Sequence, residues 1–340
     1  MNDREKEVEK YALKQEKTVL SRLKEIFLKA KNATSEKIKQ LELDPGLKDL
    51  QSKINQLRYQ KILEAQLDAA LKGLDKKAYQ TADEYIRDQY DTGFVGGTYS
   101  MHGQGVPLMM PIDYDLVEKA VTLDSKLSKP LYESMGENVR KLKKDIQTQV
   151  STGIIQGKSW IDVANEIAGN MTSPFSKASG RALTIARTEG HRVRQAAAYD
   201  QHKEAKEYGA DVIRQWDATM DKHTRRAHAA ADGSFEDEDG FFSVGGEKIR
   251  FPGMGSAKNA CNCRCVAVSR ATWALDEEDF KELEDRAKYF GLDKADNFED
   301  FKSRYLKASG AISGAVHGAY TSKNDPTGKK REGAAERLYE

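Results

Sequence analysis

Cysteine is scarce in this chain, proline is sparse, and no long apolar run exists. The three cysteines, Cys261, Cys263 and Cys265, all fall inside one CNCRC segment of the 340 residues. A disulfide framework calls for an even number spread along the chain, so none is expected and a reducing, cytosolic setting is. No stretch approaches the roughly 18 apolar residues of a membrane span. The opening MNDREKEVEK is densely charged and does not read as a secretory signal. The sequons at Asn32 and Asn170 then have no compartment in which to be used. Excess charge of one sign is missing too. Lys+Arg number 55 against 54 Asp+Glu, a net charge of +1. That excludes a whole-molecule field that draws in nucleic acid, but not a local patch.

Charged residues make up 32% and hydrophobic residues 39% of the chain. Mean hydropathy is −0.72. This balance argues against a single large core and for helices wetted on one side. Length alone suggests roughly two to three domains. Residues 1–90 read as a long-helix arm. Leu20, Leu23, Phe27 and Ala30 recur at helical spacing, as do Leu50, Ile54 and Leu57, and then Leu67, Leu71 and Leu74. Asp44-Pro45-Gly46 is a turn between two long helices. The stripe fits a solvated hairpin or a binding arm for a partner helix. Residues 91–113 read as a Gly/Pro-rich loop that carries Phe94, Tyr99, Leu108, Met109 and Met110. That apolar content predicts packing against another domain or a partner.

Residues 114–180 are expected to be helical, with Ser159 and Asp162 as a capping box and Ser173-Pro174 opening the next helix. After Gly209 the pattern becomes strand-like. DVIRQWDAT is one strand, FFSVGGEKIRF a hairpin turning at Gly245-Gly246, and CRCVAVS a third strand. Residues 271–313 read as C-terminal helices and 314–340 as a loosely ordered tail. The fold class is therefore α+β. A long N-terminal helical arm and a helical middle region precede a small, mostly antiparallel sheet domain and a helical, partly loose C-terminus.

Few segments carry chemistry. Gly153 to Gly157-Lys158-Ser159 has three residues between the glycines where a phosphate loop needs four, and no strand precedes it. It reads as one helix ending and another starting. Arg187-Thr188-Glu189 lies on a helix, where Glu189 and His191 do not share a face. Separate bonds to neighbouring segments suit Arg187 and Glu189 better than an acid–base pair. Asp221 is placed to cap a short helix from Lys222 and to pair with Arg225. This region is a polar knot, or a hydrolytic or metal centre built on His228 with Asp221 or Asp232. In a strand the three thiols of CNCRC would share one face. Cys261, Cys263 and Cys265 with His228 could then hold a structural zinc, or the thiols could pack as small hydrophobes. Between Arg140 and Arg226 there are about 16 Lys/Arg against about 10 Asp/Glu. Arg181, Arg187, Arg192 and Arg194 are its densest part and a candidate contact for a nucleic-acid backbone. Glu236-Asp237-Glu238-Asp239 reads as a wet acidic loop.

Taken in order, ARTEGHR at 186–192, QWDATMDKHTRRAH at 215–228, DG at 232–233, FFSVGG, FPGMGS and NCRC at 262–265 form a pattern. It resembles the minor head proteins of tailed phages, the Mu F-like or SPP1 gp7-like head morphogenesis family, over residues 181–270. The signature residues this carries over are Arg187, Glu189, Trp216, Asp221, Arg225, His228, Asp232, Asn262, Cys263, Arg264 and Cys265. Two positions depart from the family: His223 stands where it tends to have Arg, and Cys261 is additional. The resemblance implies a virion component inside the head near the portal, present in the host cytoplasm during assembly. It implies the portal protein and packaged double-stranded DNA as partners, with scaffold or major capsid protein also in reach and no membrane. Ejection with the DNA is part of the same expectation. It implies no catalytic residue and no cofactor beyond the candidate zinc. The competing readings are a metal-dependent hydrolase or nuclease using His228, Asp221 and the thiols, and a non-specific DNA-binding module.

Overall fold

A computed structural model describes residues 1–44, 53–122, 131–169, 173–273, 281, 284–285 and 287–317. Helix α1 (Asp3–Gln40) opens on a reciprocal cap. The Asn2 side chain accepts from the Glu5 amide at 2.9 Å, and Glu5 accepts from the Asn2 amide at 2.7 Å. Val19, Leu23, Phe27 and Ala30 are its buried stripe. A 3-10 turn at Leu41–Leu43 follows. Pro45 and Gly46 of the expected turn, and Leu50, lie outside the described residues. Helix α2 is Lys53–Leu71. Helix α3 is Leu74–Gly103.

The expected loop at 91–113 is thus half helix. Residues 91–103 continue α3, and only 104–113 are irregular apart from their turn. Glycine in a helix interior costs about 1 kcal/mol relative to alanine. Here it permits close approach. A Cβ on Gly93 would sit 2.1 Å from the Arg194 carbonyl oxygen, and one on Gly96 2.6 Å from Val8. Phe94 and Tyr99 of the same stretch are buried, Tyr99 against Phe298 and Phe301. Leu108, Met109 and Met110 enter the core as well, with the Tyr305 hydroxyl donating to the Met110 carbonyl at 2.6 Å.

Helices α4 (Tyr114–Thr122), α5 (Leu131–Ile155), α6 (Trp160–Gly169) and α7 (Pro174–Glu207) complete the helical body. Gly157, with φ +71°, ends the α5 region, and the Ser159 hydroxyl accepts from the Asp162 amide at 3.1 Å to start α6. Ser173 caps α7 and Pro174 is in its first turn. The phosphate-loop look-alike is therefore a helix–helix junction.

Strand β1 (Asp211–Asp217) follows, then the short helix α8 (Arg226–Ala230). Strands β2 (Phe242–Val244) and β3 (Glu247–Ile249) form the expected hairpin, with Gly245 and Gly246 both at positive φ as its tight turn requires. Helix α9 (Ala257–Ala260) leads into β4 (Val266–Trp273), which pairs antiparallel with β1. Helix α10 (Phe298–His317) packs on α3 and α1. The tail from 318 and most of the acidic stretch 276–285 lie outside the described residues.

Two expectations change. One apolar cluster runs from Val19 to Ala308 through helices α1 to α7 and α10, with a second, small one around Trp216. A large core is possible at this composition because narrow stripes on many long helices converge on one another. Residues 1–90 are accordingly no free arm. Helix α1 packs on α3, α6 and α7 and is tied to α7 by Glu16–Arg187 and Glu9–Arg194, both at 2.8 Å. No described helix is long and apolar enough to cross a membrane.

Candidate functional site

The second cluster gathers the signature residues. Alternation along β1 points Val212, Arg214 and Trp216 inward. Trp216 is fully buried, with its ring edge-on to His228 at 5.8 Å and to Phe242 at 5.4 Å. His228 is presented by α8. That helix starts at Arg226, with Arg225 at its N-cap, rather than at Lys222. Asp221 instead closes a turn, its carboxylate accepting from the His223 amide at 2.8 Å.

Nor does Asp221 pair with Arg225. Arg264 grips its carboxylate in a fork at 2.5 and 2.8 Å. Those bonds, with the His223 amide, hold the Asp221 carboxyl well below the usual range. Arg225 donates to the Cys261 carbonyl at 2.5 Å. Asp232 accepts from the Ala218 amide at 2.7 Å. Asp221, Arg225, Asp232 and Arg264 therefore each staple one segment of the knot to another.

CNCRC does not lie in a strand. Cys261 closes α9, and Asn262 turns the chain with a left-handed φ of +52°. Its amide donates to the Thr188 hydroxyl at 3.2 Å, which joins NCRC to ARTEGHR. Beyond that turn Cys263 and Cys265 both face His228. Their sulfurs lie 3.6 and 3.4 Å from its Nδ1. All three residues are 2–3% exposed. Their ligand atoms lie within 4.8 Å of one another, and among the described residues no other such group of three exists. Cys261, Asp221 and Asp232 are outside it, so the four-ligand set and the hydrolytic constellation expected from the sequence are not assembled. The hydrogen bond between the two thiols lowers the Cys263 pKa and raises that of Cys265.

The arginine face expected for nucleic acid is largely internal. Arg192 is 2% exposed and donates to Glu189 at 2.9 Å and to the Ala120 carbonyl at 2.7 Å. Arg194 is buried against Glu9, Arg187 is half-buried on Glu16, and Arg181 donates to Asn138 at 2.7 Å. Desolvated guanidinium groups need such partners, so a dense arginine run on a central helix marks packing rather than a DNA groove.

One residue escaped the sequence reading. Arg214 is 1% exposed and bonds the Glu236 carboxylate at 2.8 and 2.5 Å and the Gly240 carbonyl at 2.8 Å. Its guanidinium stacks 4.5 Å from the Tyr199 ring centre. Glu236 thus leaves the wet acidic loop for the interior, while Glu238 and Asp239 stay exposed. Burial alone would raise the Glu236 carboxyl. Bonds and charge from His202 and Arg214 outweigh it and hold the group at about 2. The signal was available in the alternation of DVIRQWD, which turns Arg214 inward between Val212 and Trp216.

Residues 144–268 match the family model described as Phage Mu protein F like protein. The matched span starts in α5 and ends in β4 and takes in the whole of the second cluster, so over this part the chain is similar to the Mu F-like proteins. The match begins well before the 181 expected from motifs alone. Minor head protein GP7 of Bacillus phage SPP1 is 30% identical over 199 residues, 56% of this chain and 58% of that protein. NAD(+)–arginine ADP-ribosyltransferase EFV of Enterococcus faecalis (strain ATCC 700802 / V583) is 33% identical over 195 residues, 56% of this chain and 38% of that protein. The chain spans less than two thirds of the length of either relative. No solved structure matches it.

Proposed function

We propose that this protein is a minor structural component of a tailed-phage head that binds the portal protein beside packaged double-stranded DNA. The supporting observation is that the matched span contains a site whose exposed and half-buried charged residues are mostly engaged in staples within the fold. Asp221, Arg225, Asp232 and Arg264 each hold another segment of the fold, while Glu189 pairs with Arg192 on its own helix. Catalysis generally needs titratable groups free to meet a substrate. Contact with scaffold or major capsid protein, and exit with the DNA, belong to the same reading. Contact with DNA would use exposed cations such as Lys222 and Arg226 rather than the buried arginines.

The test is co-expression of the full chain with the portal protein of the same phage. A stable complex on size exclusion is expected. A portal oligomer that elutes alone, beside a folded chain, defeats the proposal. The transferase relative supplies the competing reading, but most of that protein lies outside the shared segment. Incubation with labelled NAD and an arginine acceptor is expected to transfer no label. Transfer that survives purification would replace the structural reading.

A further inference from the structure

We propose that His228 Nδ1, Cys263 Sγ and Cys265 Sγ bind one zinc ion, and that this ion clasps α8 to the turn before β4. The proposal stands on geometry and does not depend on the portal reading. Around a tetrahedral zinc, Zn–N of about 2.0 Å and Zn–S of about 2.3 Å place nitrogen and sulfur about 3.5 Å apart. The two separations here are 3.6 and 3.4 Å. The local chain is built to produce them. The left-handed Asn262 reverses direction after α9, and cysteines two apart then present both sulfurs to one side.

Thiols in mutual contact and at van der Waals distance from an imidazole can also be plain packing. The orientation argues otherwise. A neutral imidazole has one lone pair, on one nitrogen, and a single donor satisfies it. Here two sulfurs converge on that one nitrogen. A cation held at their meeting point satisfies all three at once, each thiol losing its proton as the metal enters. Two thiolates and an imidazole select zinc over magnesium or calcium, which take oxygen ligands. The surroundings hold the ligands in place. Trp216 covers the imidazole edge-on, and Arg264, between the two cysteines, is fastened to Asp221. Three protein ligands leave a fourth position for water or an incoming group. Cys261 is not that ligand in this arrangement, because it stands outside the group.

The test is elemental analysis of the full chain, purified in reductant without chelator. About one equivalent of zinc is expected, falling at least tenfold in Cys263→Ser and Cys265→Ser and unchanged in Cys261→Ser. If the serine variants fail to fold, the wild-type chain decides. Mercurial titration of its thiols should release the zinc, and cobalt exchanged into the site should show a thiolate-to-metal charge-transfer band. Three results overturn the proposal: a folded chain that takes up no zinc on titration, zinc that persists after both cysteines are replaced, or a Cys263–Cys265 disulfide in the natively alkylated protein.

Discussion

Arg214 shows how much a single side chain can do in this fold. It joins β1 to the segment before β2 through Glu236 and Gly240, in an environment with almost no water. Removing one partner of such a pair leaves the other charged and buried, which costs more than the pair contributes. Arg214→Leu is therefore expected to lower unfolding free energy by about 3–5 kcal/mol, read by urea denaturation. Arg214→Leu with Glu236→Leu should recover a large part of that loss, since no orphaned charge remains. The inward position of Arg214 is legible from alternation in DVIRQWD. Its partner is not, because Glu236 sits in an acidic run that looks solvated and 22 residues away. The same holds for His228. Its place on a helix can be read, but that it meets Cys263 and Cys265 and not Asp221 or Cys261 depends on where Asn262 turns the chain.

At the level of elements, the pairing of α3 with α7 governs the helical body. Glycine decides how closely the two approach. Gly93→Ala would push a methyl group against the backbone of Arg194, and backbone cannot swing aside. A loss of about 2–3 kcal/mol is expected by chemical denaturation. Gly180, early in α7, has no atom within 4 Å of a built Cβ. Gly180→Ala should therefore stabilise by about 0.5–1 kcal/mol through helix propensity alone. Opposite signs for one substitution on two partner helices would separate packing from propensity. The cluster Gly93, Gly96 and Gly97 reads as a loop in sequence because glycine weakens any isolated helix. Only a neighbouring helix turns that weakness into a contact.

Across the whole molecule, burial and charge set a pH dependence. Glu204, near the end of α7, is raised to about 8, first by burial and then by the charges of Asp200 and Asp113. A carboxyl with a folded pKa above its ordinary 4.5 contributes stability below about pH 4.5 and loses it as pH rises through about 8. Glu204→Gln should thus leave stability unchanged near pH 4. At pH 8 it should raise it by up to about 4 kcal/mol, with a matching rise in Tm. A pair of thermal melts at each pH measures this. No difference between the two pH values would show that Glu204 is well solvated.

The order of helices, the hairpin at Gly245-Gly246, the caps at Ser159 and Ser173 and the head-protein signature are all local or linear patterns. The sequence therefore determines them by itself. Period, capping chemistry and turn conformation act within a few residues. The tertiary structure decided what those patterns serve. It folded α1 into the core, continued α3 through its glycines, withdrew the arginines from solvent and set two of three cysteines against one histidine. Each of these depends on segments far apart in the chain, where burial and close approach, not local preference, select the partner.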